Sequence, residues 1–232
     1  MKPVAEALSA DFGILEPFQT KASIDGQIEE LRQQLISNAD LPAVLIGHSW
    51  GAWLVFLFAS RYPALVKKLI LVGSGSFENK YNQNLMEIRV QRLNKGDRAD
   101  AEALMVQLSN ENSDVKVLER FGKLMTMADS YDYLPDLDCS VVLNLAIHTS
   151  VWKEAAQLRD TGELVGCASK IKCPVVAFHG DYDSHPMVGV EQPLSERLSD
   201  FKMVKLAKCG HTPWNEKYAR EEFFRLLKFE LE

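Results

Sequence analysis

The feature that most constrains this chain is a run of twenty residues, 41–60, without a single Asp, Glu, Lys or Arg. A membrane-spanning helix needs about 20 predominantly apolar residues, but a Gly-His-Ser-Trp-Gly sequence at 47–51 interrupts this run in its middle. The residues before it, 43–46, are typical of a buried strand, and 52–60 are apolar on every side, as in an interior helix. The run therefore predicts a strand, a sharp turn and a helix, and no membrane span.

The turn itself has the form Gly-x-Ser-x-Gly, with Ser49 at its centre. A strand that turns sharply into a helix leaves little room for side chains two positions before and after the apex, which explains glycine at both Gly47 and Gly51. Ser49 is then held in a strained conformation with its Oγ exposed. The backbone N–H of Trp50, at the start of the helix, is placed to donate to an oxyanion. This context predicts a nucleophilic serine.

Beyond this turn, apolar runs of strand length alternate with helical patterns. Runs at 43–46, 68–72, 175–178 and 201–206 predict buried strands, and a shorter run at 12–15, closed by Pro17, predicts another. Residues 77–166 contain no strand run and read as a helical insertion. Buried strands that alternate with helices favour an α/β fold with a mostly parallel sheet covered on both faces. We expect a core of residues 1–76 and 167–232 with a helical cap at 77–166.

A serine needs a general base, and the chain has five histidines. His211 follows a strand and a glycine and precedes the last helix, so we assign it as the base, with His185 as the alternative. We read His48, His148 and His179 as structural.

The third member of the site is expected to be a carboxylate after an intervening strand. Asp183 suits a turn that presents one side chain, whereas Asp181 more readily braces that turn and is the alternative acid. Glu78 is a more distant choice. The chain order Ser49, Asp183, His211 is the order of an α/β-hydrolase triad.

With these residues the chain resembles the α/β-hydrolase superfamily, in the branch with a helical cap that includes proline iminopeptidases and related esterases. The resemblance rests on the elbow at 47–51, the Gly180-x-x-Asp183 turn, the Gly210-His211 turn and the insertion after Gly75. It implies an eight-stranded, mostly parallel sheet with a cap over Ser49. It also implies an earlier His-Gly loop that supplies a second oxyanion donor, and no such pair precedes Ser49.

By the same resemblance, the sheet lacks its first three strands, and residues 12–15 correspond to the fourth. The loss leaves an exposed sheet edge, through which we expect a homodimer. The acidic residues of the insertion are read as its solvated face, with recognition of a substrate amine as the alternative; they include Asp97, Asp100, Glu102 and Asp129.

The function expected from these residues is a serine hydrolase that acts on a small acyl substrate, an ester or alternatively an amide. The competing hypothesis is a hydrolase-fold protein that binds a ligand or partner without turnover, because the oxyanion loop is missing. We expect no cofactor and no metal. The formal net charge of -6 and the lack of a Lys/Arg block argue against nucleic acid. Cysteines without a CxxC pair are typical of reduced thiols, so we expect a cytoplasmic protein; they are Cys139, Cys167, Cys173 and Cys209.

Overall fold

The computed structural model describes residues 1–108, 114–134 and 144–232, and within these the chain forms one four-stranded parallel sheet. Its strands follow one another in space as they do in sequence: β1 (Ala43–His48), β2 (Val66–Val72), β3 (Val175–Gly180) and β4 (Phe201–Leu206). All three pairings are parallel. The carboxyl ends of the four strands therefore lie along one edge of the sheet, where the loops that follow them meet.

Ten α-helices lie in the described residues. They are α1 (Lys2–Leu8), α2 (Ile24–Asn38), α3 (Trp50–Arg61), α4 (Leu85–Arg92), α5 (Lys95–Leu108), α6 (Val115–Ala128), α7 (Leu145–Asp160), α8 (Glu163–Gly166), α9 (Val188–Ser195) and α10 (Arg220–Leu231). None of them is both long and apolar enough to cross a membrane.

The sheet is covered on both faces because successive strand residues point to opposite sides. Leu69 and Leu71 belong to a core with α2 and α3, whereas Ile70 and Val72 belong to a core with α1 and α10. Helix α3 is the most enclosed, since residues 52–60 are all buried. The predicted α/β fold, a parallel sheet flanked by helices, is confirmed.

One expectation about the strands is wrong. Residues 12–15 form a bend followed by irregular chain, so the sheet of the described residues has four strands and not the five that the sequence predicted. The apolar run at 12–15 is short and contains Gly13, and Ile14 and Leu15 are exposed. A strand needs a neighbouring strand for its hydrogen bonds, and the described part of the chain offers this segment none. Strand β1 consequently ends the sheet, and a cavity of about 470 Å³ separates it from residues 13–19.

The described residues of 77–166 contain helices α4 to α8 and a small core of their own. A single antiparallel bridge joins Tyr133 to Glu216. Cys139 and the other residues of 135–143 lie outside the described residues, as do residues 109–113. The boundaries of the cap at 77 and 166 stay a prediction.

Candidate active site

Ser49 occupies the apex of the turn between β1 and α3. Its backbone has φ 53° and ψ −117°, a conformation that residues with a side chain seldom adopt and that stores strain. The turn is held by backbone hydrogen bonds, from Ser49 N to the carbonyl of Val72 (3.1 Å) and from Ala52 N to the carbonyl of Ser49 (3.0 Å). Strain of this kind is found where a fold fixes a functional side chain.

The two glycines of the elbow differ. A Cβ on Gly47 would overlap the carbonyl group of Gly51 and lie 2.7 Å from the amide nitrogen of Ala52. A Cβ on Gly51 would meet nothing within 4 Å. The steric explanation is therefore right for Gly47 and wrong for Gly51, because Gly51 faces the open cavity beside β1.

His211 and Asp183 are brought together by the loops after β4 and β3. The Nδ1 atom of His211 lies 2.8 Å from Oδ2 of Asp183, whose side chain is fully buried. Burial alone would lower the pKa of His211, but the Asp183 carboxylate outweighs it and raises that pKa above the ordinary value. Burial would raise the pKa of Asp183, but the charge and hydrogen bonds of His211 and His185 hold it well below the ordinary value. The carboxylate therefore stays ionised and can stabilise an imidazolium.

The loop that carries His211 is held by the backbone of Asp129 and by one buried carboxylate. The amide of His211 donates to the carbonyl of Asp129 (2.8 Å). Glu216, which is fully buried, accepts from the backbone N–H groups of Gly210 (2.9 Å), Tyr131 (3.0 Å) and Asp132 (2.8 Å). Sequence reasoning missed Glu216, since nothing in the pattern distinguishes it from a surface residue at a helix start.

His185, the alternative base, hydrogen-bonds to the other oxygen of the same carboxylate. Its Nδ1 lies 2.9 Å from Oδ1 of Asp183, and its Nε2 accepts a long hydrogen bond of 3.4 Å from Arg89. Burial lowers the pKa of His185 below the ordinary value, with Asp183 offsetting this only in part. No described residue hydrogen-bonds to Nε2 of His211, so His211 keeps the nitrogen that a base needs.

The remaining candidates have structural contacts. Asp181 Oδ1 accepts from the amide of Cys209 (3.2 Å) and so braces the loop before His211. His179 donates from Nε2 to the carbonyl of His185 (2.8 Å). His48 donates to the carbonyl of His211 (3.0 Å), and burial together with the nearby His211 lowers its pKa to about 3. Glu78 pairs on the surface with Lys80 and Arg197.

A cavity of about 190 Å³ opens onto Ser49, His211 and His185. Three indole rings from α3 and α7 form its apolar wall, with centroid separations of 6.2–6.5 Å; they belong to Trp50, Trp53 and Trp152. Two arginines, Arg89 and Arg159, complete the wall. Arg89 makes two hydrogen bonds to Asp129, at 2.8 and 2.6 Å. Asp129 is buried, so its expected place on a solvated face is wrong.

Within the described ranges, Asp183, His185 and His211 are the one group of potential ligands whose donor atoms cluster within 4.8 Å. Both imidazoles point Nδ1 at the carboxylate at hydrogen-bond distance. These hydrogen bonds explain the cluster without a metal ion.

A sequence model of the alpha/beta hydrolase fold matches residues 20–213. The chain belongs to the α/β-hydrolase family. A pimeloyl-[acyl-carrier protein] methyl ester esterase of Chromobacterium violaceum is 26% identical over 207 residues, which are 85% of this chain and 73% of that protein.

Solved structures show the same fold. VinJ superposes with a TM-score of 0.61 at 20% identity, over 92% of this chain and 73% of its own. A proline iminopeptidase of Mycobacterium smegmatis superposes with a TM-score of 0.57 at 15% identity, over 91% of this chain and 73% of its own. At these identities the likeness shows the fold alone.

In this α/β hydrolase, the local sequence identified the elbow and both members of the Asp–His pair as candidates. It did not identify Arg159 or Trp152, which lie about a hundred residues from Ser49 in sequence. Both sit on helix α7 at 145–160, where Trp152 and Arg159 follow the seven-residue spacing that places two side chains on one helix face. That seven-residue spacing is the one feature of the sequence that could have indicated that Trp152 and Arg159 line the same site.

Proposed function

We propose that this chain is a serine hydrolase that cleaves carboxylic esters through Ser49, His211 and Asp183. The observation that carries the proposal is the His211–Asp183 hydrogen bond of 2.8 Å beside the strained Ser49, with Ser49 and His211 on one cavity. Membership of the family and the esterase relative from C. violaceum support a hydrolase.

The mechanism follows from the tautomer that this hydrogen bond selects. Nδ1–H of His211 donates to Asp183, which leaves the lone pair of Nε2 to take the proton of Ser49 Oγ. Oγ then bonds to the carbonyl carbon of the ester, and the carbonyl oxygen becomes an oxyanion. His211 returns the proton to the leaving alcohol as the C–O bond breaks, and an acyl-enzyme forms. Water, deprotonated by His211, cleaves the acyl-enzyme and frees Ser49.

The backbone N–H of Trp50 is the proposed oxyanion donor. It is the first helical residue of α3, where N–H groups have no partner within the helix, and no described residue accepts from it. One donor of this kind typically contributes roughly 10²–10³-fold to kcat. We expect the Trp50 N–H to contribute a factor of this size to the turnover of an activated ester.

A fluorophosphonate reports on an assembled site before any substrate is known. We expect intact-mass spectrometry to show one adduct on the parent and none on Ser49→Ala, with both folded by circular dichroism. Hydrolysis of 4-nitrophenyl butyrate should fall by roughly 10³-fold or more in Ser49→Ala. No adduct on a folded parent would refute the proposal and would leave the binding-only hypothesis. Equal hydrolysis by both proteins would refute it as well.

A further inference from the structure

The guanidinium group of Arg159 lies on the wall of the Ser49 cavity and takes no part in the proposed mechanism. Its Nε is buried without a hydrogen-bond acceptor among the described residues. Asp160 provides the single described carboxylate within 4 Å, at 3.8 Å, and half of that side chain is exposed to water. A buried donor without an acceptor is costly in a native protein, so each such group calls for an explanation.

The nearby buried carboxylate of Asp129 does not neutralise Arg159. It accepts two hydrogen bonds from Arg89, which also donates to His185. The lining contains no Asp or Glu among its described residues. Arg159 also lies close to the indole of Trp53, with its guanidinium carbon 5.8 Å from the ring centroid. The cavity thus combines apolar walls with one cation that lacks a strong partner.

We propose that the acyl chain of the substrate carries a carboxylate and that Arg159 binds it. The guanidinium group matches a carboxylate with two parallel hydrogen bonds, and this pairing is strong where water is excluded. The tryptophans would hold the apolar part of the chain. The acyl side is assigned because Trp50 supplies both the proposed oxyanion donor and part of this wall, so a carbonyl bound there directs its chain along the indoles. This inference rests on the proposed function and names its substrate class.

The cavity volume guides the length of the test chain. A cavity of about 150 Å³ admits benzene, which has six heavy atoms. By that ratio the 190 Å³ beside Ser49 accommodates about seven heavy atoms beyond the carbonyl carbon. Four methylene groups and a carboxylate meet that size, which is the adipyl group.

The test compares two esters that differ in charge and little else: 4-nitrophenyl adipate, with a free carboxylate, and its neutral carboxamide, 4-nitrophenyl adipamate. The measured quantity is the ratio of their kcat/KM values. We expect the parent to favour the carboxylate and Arg159→Gln to lower the ratio by about 10- to 100-fold, because a hydrogen bond to a charged group contributes that much. Arg159→Lys should recover part of the preference.

Arg225→Gln is the matched control, because Arg225 is exposed on α10 and pairs with Glu222. It should leave the ratio unchanged. Equal ratios in the parent and in Arg159→Gln, with hydrolysis intact, would overturn this inference and leave the proposed function standing.

If neither ester is hydrolysed, a binding measurement distinguishes failure of this inference from failure of the proposed function. Adipate is titrated against the parent, Ser49→Ala and Arg159→Gln, with the fluorescence of the cavity tryptophans as the signal. Tighter binding of adipate than of adipamide, lost in Arg159→Gln alone, would support the site even without turnover. No preference for adipate in the parent would overturn it.

Discussion

Gly47 and Gly51 flank Ser49, and the structure predicts opposite consequences when each is replaced by alanine. At Gly47 the new Cβ would lie 2.5 Å from the carbonyl carbon of Gly51 and 2.7 Å from the amide nitrogen of Ala52, whereas ordinary contacts begin at 3.4 Å. Both neighbours are backbone atoms, so no side chain can rotate away. The first turn of α3 would have to move by about 1 Å relative to β1.

Helix α3 cannot make this shift freely, because residues 52–60 are buried on every side. Overpacking of a rigid core typically costs about 1–3 kcal/mol, and occasionally more. Since the clash here is with backbone, we expect Gly47→Ala to lower the free energy of unfolding by about 3 kcal/mol. For a chain of this length, that corresponds to a fall in Tm of about 6–12 °C.

Gly51→Ala is the matched control within the same turn. Its Cβ meets no atom within 4 Å, and alanine is favoured over glycine in a helix by up to about 1 kcal/mol. We expect its Tm to equal that of the parent or to exceed it by a few degrees. Thermal unfolding followed by circular dichroism measures both variants. A Gly47→Ala protein that melts with the parent, or a Gly51→Ala protein that melts as early as Gly47→Ala is expected to, would refute this account of the elbow.

Three further predictions follow from the site and the sheet. The raised pKa of His211 places the acid limb of the kcat/KM pH profile above the ordinary histidine value of about 6.5, because a protonated His211 cannot accept the Ser49 proton. Asp183→Asn should lower kcat/KM by roughly 10³–10⁴-fold. An acid limb at or below the ordinary histidine value would contradict the assigned His211–Asp183 pair. Glu216→Ala should lower the free energy of unfolding by about 3 kcal/mol and slow fluorophosphonate labelling, since it leaves one buried and two part-buried N–H groups without their acceptor. Glu216→Gln should lose less stability, and equal losses would contradict this role. The edge of β1 carries no charged residue, so we expect it to support a dimer whose population rises with concentration in sedimentation velocity. Val44→Lys should weaken that dimer. A parent protein that stays monomeric at high concentration would exclude this edge as an interface.

The strands, the elbow and the triad candidates could be predicted because their causes are local in sequence. An uncharged stretch broken by Gly-x-Ser-x-Gly permits few folds other than a buried strand, a turn and an interior helix, and β1 and α3 follow that division closely. Asp183 and His211 each follow a strand, and the parallel sheet brings the ends of its strands to one edge. The roles of these residues in turnover stay a prediction.

The predictions that were wrong concern residues whose structure depends on contacts that the sequence does not reveal. The run at 12–15 has strand composition, yet no neighbouring strand completes it. Gly51 resembles Gly47 in the motif, but only the position of the open cavity shows that a side chain fits there. Asp129 looks like a surface acid, and it is buried because Arg89, forty residues earlier, accounts for both of its oxygens.

The sequence by itself determined the nucleophile candidate, the chain order of the proposed triad residues and the parallel α/β class, because these depend on short-range sterics and on apolar periodicity. The tertiary structure decided which ring nitrogen of His211 has no hydrogen-bond partner among the described residues, what holds the loop of His211 and which cations line the cavity at Ser49. Those features require groups from different elements, such as Asp183 with His211 and Glu216 with Tyr131, to meet at distances of about 3 Å, and only the packing of helices against the sheet sets such distances.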